Sequence, residues 1–166
     1  MTELTEIVDA LKQRFDVTDS SVFRGAQRVV VTRDDLHSAL CYLKESHGFD
    51  MLVDLTCVDY LTYRGATHRF VAVYLLANTT TNQRLNVRVA LNESDLWLPT
   101  VTDMWAGANW LEREVWDMFG IRFPGHPDLR RILLPPEFTA HPLRKDYPLQ
   151  GRGERHNFPV ITRDKS

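Results

Sequence analysis

The chain has 166 residues, 43% of them hydrophobic and 25% charged, the make-up of one soluble globular domain with a core of its own. Its net charge of −2 speaks neither for nor against nucleic acid. Two cysteines, Cys41 and Cys57, are too few for an iron–sulfur cluster or a structural zinc site, each of which takes about four ligands, and they suggest no disulfide scaffold.

Leu4, Ile7, Val8, Leu11 and Phe15 fall at helical spacing over residues 4–15. Residues 23–27 read as a turn before a strand at 28–32. Asp34 and Asp35 open a second helix at its positive end, Leu36, Ala39, Leu40 and Leu43 form its apolar face, and Gly48 stops it. Residues 51–58 alternate, which puts Met51, Val53, Leu55 and Cys57 on one face of a strand. Residues 69–77 are apolar on both faces, as in a central strand. Residues 84–91 alternate again, with Leu85, Val87, Val89 and Leu91 inward and Asn86 and Arg88 outward. The polar turn at 79–82 predicts that these last two strands pair antiparallel. Asp103 is placed to cap a helix running to Phe119, with Gly120 as its stop.

Helices interleaved with short strands in this way predict an α+β fold: a two-layer α/β sandwich with a mixed, largely antiparallel sheet. Seven of the eight prolines lie beyond residue 123, where neither sheet nor helix interior is expected. The chain therefore divides into a domain over 1–123 and a Pro-rich, basic, extended C-terminal arm over 124–166. That arm holds eight Lys/Arg against five Asp/Glu, so the domain carries −5 of charge and the arm +3, a contrast that suits docking on a partner. No run reaches the ~18 apolar residues of a membrane span. The acidic start, Met1 to Asp9, lacks the apolar region of a signal peptide. Contact with a membrane is expected only through a partner.

Residues 111–134 read LEREVWDMFGIRFPGHPDLRRILL. On a helical wheel, Met104, Ala108, Leu111, Val115, Met118 and Phe119 fall within an arc of about 100°, the core stripe. Trp105, Asn109, Glu112 and Trp116 lie on the neighbouring arc, with Trp110, Arg113, Glu114 and Asp117 further round. Tryptophans off the core stripe suit an interface; cover by the sheet or the arm is the plainer alternative. Glu112, Glu114 and Asp117 have the chemistry for acid–base work, but surface carboxylates paired with Arg113 and Arg122 are the commoner arrangement. His126-Pro127 and His141-Pro142 hold two rings in fixed directions. A metal would find only Asp128 and Asp146 as further ligands and no HxH, HxxxH or HExxH spacing. Capping of backbone carbonyls or contact with a partner fits these histidines better.

The run Glu112-Arg113-Glu114-Val115-Trp116-Asp117-Met118-Phe119-Gly120 resembles the 30 kDa subunit family of complex I. The likeness continues through His126, Arg130, Ile132 and Leu133, and through His141-Pro142-Leu143-Arg144-Lys145-Asp146-Tyr147-Pro148. It is strongest over 111–150 and matches the stand-alone form rather than the one fused to the quinone-site subunit. The resemblance implies an accessory subunit in the hydrophilic arm of proton-translocating NADH:quinone oxidoreductase, peripheral on the cytoplasmic face of the bacterial inner membrane. It implies that this chain binds no cofactor, while NADH, FMN, iron–sulfur clusters and quinone belong to the rest of the complex. Implied partners are the 49 kDa-type (D-type) subunit, which helps form the quinone site, and the N2-cluster (B-type) subunit. The expected partner-facing residues are Trp105, Glu112, Arg113, Trp116, His126, Arg130, Arg131, His141, Arg144 and Lys145. Related membrane-bound hydrogenases and ferredoxin-fed complexes share the family, so the motif specifies an assembly better than an electron donor.

Two other classes compete. A free-standing enzyme would use Glu114 or Asp117 with His126. A nucleic-acid binder would use Arg130, Arg131, Arg144, Lys145, Arg152 and Arg155, against the acidity of the rest of the chain.

Overall fold

The structure, a computed structural model, describes residues 2–153. The elements run α1 (Thr2–Arg14), β1 (Val17–Phe23), β2 (Ala26–Val31), α2 (Arg33–His47), β3 (Met51–Asp59), β4 (Phe70–Ala77), β5 (Arg84–Leu91) and α3 (Ala108–Phe119). The strands form one sheet in the order β1-β2-β5-β4-β3. Every neighbouring pair is antiparallel except β2 and β5. The topology follows from the connections. A two-residue turn with positive φ at Arg24 (50°) and Gly25 (82°) closes the first hairpin. Helix α2 then carries the chain to the far edge, and the β3-β4-β5 meander walks back until β5 meets β2 in parallel.

One face of this sheet and the apolar stripes of all three helices form a single core. Ile7, Val8 and Leu11 of α1 and Leu36, Ala39, Leu40 and Leu43 of α2 pack onto Val29, Tyr74, Leu85 and Val87. This is the two-layer α+β sandwich expected, and the alternation of β5 is as read, with Leu85, Val87, Val89 and Leu91 buried.

Strand β3 departs from its simple alternation. Met51 is 48% and Val53 42% exposed, whereas Leu52, Leu55 and Cys57 are buried. The register steps from Leu52↔Leu76 to Asp54↔Leu75, so Val53 is an extra residue on this strand. That bulge reverses the phase, and Met51 and Val53 do not share a face with Leu55 and Cys57.

Helix α3 also starts later than expected. Asp103 does not cap it: residues 101–105 form their own turn, with the N–H groups of Met104 and Trp105 both on the Val101 carbonyl at 3.0 Å. Asp103 instead meets His37 at 2.9 Å, and Gly107 precedes the helix with no side-chain cap. Between β5 and α3 the chain runs alongside the segment after α3. Leu98 N–H donates to the Arg122 carbonyl at 2.9 Å and Arg122 N–H to the Leu96 carbonyl at 3.0 Å. Residues 124–153 contain no helix or strand and fold back across the C-terminal end of α3.

The bulge makes a test of the register. Deleting Val53 leaves every inward side chain of β3 inward and is expected to cost about 1 kcal/mol, or roughly 3 °C in melting temperature. Deleting Thr56 turns half the strand inside out and is expected to abolish cooperative unfolding in circular-dichroism melts. Equal losses for the two deletions contradict the assignment.

Candidate functional site

Helix α3 and the chain that returns over it bring the informative residues together. Asp117, fully buried, is their hub. Its Oδ2 accepts the N–H groups of Ile132 (3.1 Å), Leu133 (2.9 Å) and Leu134 (3.0 Å). Its Oδ1 pairs with Arg131 at 2.5 Å. Burial pushes the carboxyl's pKa up, but the N–H groups of Leu133, Leu134 and Ile132 and the Arg131 guanidinium together outweigh it and hold the group below the usual carboxylate range. One side chain thus fixes the direction of four consecutive residues.

The C-terminal carbonyls of α3 are met by the next stretch. Such carbonyls have no partner inside their helix and carry the negative end of its dipole. Gly120 N–H donates to the Trp116 carbonyl (2.8 Å), Leu143 N–H to Met118 (3.2 Å) and Arg144 Nε to Phe119 (2.6 Å). His141 Nδ1 donates to the Asp117 carbonyl at 3.0 Å. Burial lowers the His141 pKa, with the flanking Arg144 and Arg131 adding to the fall. Gly120, at φ 78°, is required here, because a Cβ would lie 2.6 Å from both Arg144 Nη2 and His141 Nε2.

Glu112 is also fully buried, and among the described residues no cation pairs with it. Its Oε1 accepts Val101 N–H and its Oε2 the Thr100 hydroxyl, both at 2.7 Å. Burial raises its pKa to about 7, the two hydrogen bonds opposing and Asp103 assisting. Arg113 donates to the carbonyls of Arg130 (3.1 Å) and Arg131 (3.2 Å) and lies over the Trp110 ring. His126 accepts Asp128 N–H at Nδ1 (3.0 Å), which leaves Nε2 to donate to the Asn109 carbonyl (3.1 Å).

The sequence reading needs correction at several of these positions. Glu112, Arg113 and Trp105 are buried inside the chain rather than presented to a partner. Trp105 is covered by the body of the domain, and its Nε1 donates to the Asp50 carbonyl at 3.0 Å. Glu112 and Asp117 are not surface carboxylates but interior hydrogen-bond acceptors. Arg131, His141 and Arg144 are half-buried and bound to α3. Trp116 is half-buried, with the Arg131 guanidinium 5.6 Å from its ring. Arg130 and Lys145 are exposed. The carboxylate–histidine set of a free-standing enzyme is not gathered: Asp117 is filled by four donors, His126 is bonded at both nitrogens, and Glu114 is exposed. Among the basic residues proposed for nucleic acid, Arg152 lies over the Tyr147 ring and Arg155 is outside the described residues.

Sequence reasoning missed a second hub. Asp59, buried at the end of β3, accepts the N–H groups of Leu61 (2.9 Å) and Lys145 (2.8 Å) and pairs with Arg69. Arg69 in turn binds Glu93 and, at 2.8 Å, Asp146. The signal was there, in an aspartate that ends one apolar strand and an arginine that immediately precedes the next. Among the described residues no group of three or more His, Cys, Asp or Glu is arranged to hold a metal ion.

Residues 29–153 match the family described as respiratory-chain NADH dehydrogenase, 30 Kd subunit. The C-type subunit of NADH-quinone oxidoreductase from Trichlorobacter lovleyi is 44% identical over 155 residues, covering 92% of this chain and 94% of that one. The C/D polypeptide of NADH-quinone oxidoreductase from Nitrosospira multiformis is 42% identical over 87% of this chain but only 26% of its own length. Among solved structures, a trypsin-resistant fragment of Nqo5 is 38% identical with a TM-score of 0.66, covering 78% of this chain and all of that one. A chain of the membrane-bound sulfane sulfur reductase, an archaeal respiratory membrane complex, is 25% identical with a TM-score of 0.76, covering 99% of this chain and 96% of that one.

Two substitutions test the geometry. Asp117→Ala strands a buried arginine and three backbone N–H groups and is expected to cost about 3–5 kcal/mol in urea unfolding. Asp128→Ala, which loses only an exposed pair with Arg130, is expected to cost under about 0.5 kcal/mol. Similar costs contradict the hub. For Glu112, the raised pKa means that the folded state holds a proton the unfolded chain releases between pH 4.5 and about 7. Stability therefore falls as pH rises through that window, by about 2–3 kcal/mol. Glu112→Gln is expected to flatten the fall when urea midpoints at pH 5 and pH 7.5 are compared; an unchanged fall contradicts the assignment.

Proposed function

The chain belongs to the 30 kDa subunit family of respiratory-chain NADH dehydrogenase, and from that membership we propose that it is a positional subunit of the hydrophilic arm of proton-translocating NADH:quinone oxidoreductase. In this reading it binds no cofactor and has no turnover of its own. It holds the quinone-site (D-type) subunit and the N2-cluster (B-type) subunit in register, so that electrons from NADH reach quinone through FMN and clusters carried elsewhere. It sits on the cytoplasmic face of the bacterial inner membrane as a peripheral component. No helix among the described residues is long and apolar enough to cross a membrane.

The observation that carries this reading is how the motif is used. Its polar side chains bind the chain's own backbone, through Asp117, Arg113, His141 and Arg144. What the same stretch turns outward is Trp110 (60% exposed), Arg130, Leu133 (60%), Leu143 and Leu149. Aromatic, arginine and large aliphatic side chains standing in water suit a permanent interface. A C/D polypeptide that contains a region like this one supports the D-type subunit as the neighbour.

A second reading is the equivalent subunit of a related membrane-bound complex with another electron donor. The likeness to the archaeal sulfane sulfur reductase chain supports it. The identity of 44% to a C-type subunit, against 25% to that chain, favours the first reading.

The test is Trp110→Ala combined with Arg130→Ala. Both side chains are exposed: Trp110 meets Arg113, which keeps its two carbonyl bonds, and Arg130 pairs with exposed Asp128. The variant chain is expected to melt within about 2 °C of the parent, while recovery of intact complex by affinity purification drops at least several-fold. Full recovery with parental NADH:quinone activity contradicts the proposal.

A further inference from the structure

Among the described residues no helix covers the sheet's second face, and one place on it is a built pocket. A cavity of about 350 Å³ opens there beneath the loop between β3 and β4. Its floor is Val30, Val71 and Ala90, from three adjacent strands, and one wall is the edge-to-face pair Tyr60 and Tyr63, with ring centroids 5.6 Å apart. Arg88 also lines it.

Arg88 is the arginine that lines this cavity. Half-buried itself, it keeps its Nε buried without a hydrogen-bond partner. Arg28 and Arg33 also keep a buried Nε without a partner, but Arg33 pairs with Asp95 through Nη1 and Arg28 lies 4.3 Å from the centre of the Phe23 ring, while Arg69 is bound by three carboxylates, Arg113 and Arg144 by carbonyls and Arg131 by Asp117. A buried guanidinium N–H without an acceptor costs free energy, and a carboxylate is the acceptor that matches the fork of this group. Of the other polar groups lining the cavity, His68 is held by Asn92, and Asp19 is exposed and forms no ion pair among the described residues.

We propose that this pocket receives an Asp or Glu side chain, flanked by apolar residues, from a segment of a neighbouring subunit that lies across the open face of the sheet. The carboxylate meets Arg88, while the flanking residues cover Val30, Val71 and the two tyrosine rings. The proposal rests on the chain being one subunit of a larger complex. It adds a second contact surface, on the opposite side of the sheet from α3 and the segment folded over it.

The experiment is Arg88→Met in the native complex, with Tyr63 separately replaced by a photocrosslinking phenylalanine derivative. Tyr63 is 68% exposed at the rim. Arg88→Met is expected to leave the melting temperature of the isolated chain unchanged or higher and to lower recovery of intact complex at least fivefold. Arg88→Lys is expected to restore part of it. The crosslink from position 63 in purified complex is expected on another subunit's peptide containing Asp or Glu. Parental recovery with Arg88→Met, or a crosslinked peptide without a carboxylate, overturns the proposal. If Arg88→Met assembles normally while the Trp110/Arg130 variant does not, the pocket is excluded and the positional role stands.

Discussion

The carboxylate of Asp117 sits out of water with four donors around it, three of them consecutive backbone N–H groups. Taking an ion out of water costs several kcal/mol, and only a complete set of partners offsets that. The set is complete only when residues 131–134 run over the last turn of α3. The carboxylate therefore dictates a path for chain that has no helix or sheet to hold it. From there Leu143, His141 and Arg144 reach the free carbonyls of the same helix end. Lys145 N–H and Asp146 then join the Asp59–Arg69 hub at the edge of the sheet. The two hubs tie one proline-rich stretch to both layers of the domain.

This arrangement gives the charged motif its physical meaning. Buried acids and bases are commonly taken as signs of catalysis, because burial perturbs pKa. Here the perturbations run in opposite directions for structural reasons: Glu112, with two neutral donors and no cation, is raised to about 7, and Asp117, with Arg131 and three N–H groups, is lowered. Each is accounted for by the backbone it holds. In the reading proposed above, this leaves exposed Trp110, Arg130 and Leu133 to meet a partner, which suits a chain of a respiratory-chain NADH dehydrogenase subunit family.

The layers, the central position of β4 and the inward face of β5 were legible because period-2 and helical spacing are carried by the chain itself. The phase of β3 was not, since a bulge at Val53 is a property of the pair β3–β4 and leaves no mark in either strand's pattern. The start of α3 was misplaced because Asp103, a good cap by residue type, is drawn to His37 from α2. The wheel put Glu112, Arg113 and Asp117 off the core stripe, and they are, but a second layer of chain covers that side. Cover from residues 124–146 is tertiary, and composition said only that the segment is proline-rich and basic. The alternative that the two histidines cap backbone carbonyls was within reach of the sequence, and it describes His126 and His141 in the structure.

The central claim is that the motif clamps the chain's own C-terminal segment to α3 before any partner binds. Amide hydrogen exchange on the isolated chain tests it most directly. The amides of Ile132, Leu133 and Leu134, which lie outside any helix or strand, are expected to exchange about a hundredfold or more slowly than unprotected amides. Exchange of these three at the unprotected rate, with the strands still protected, contradicts it.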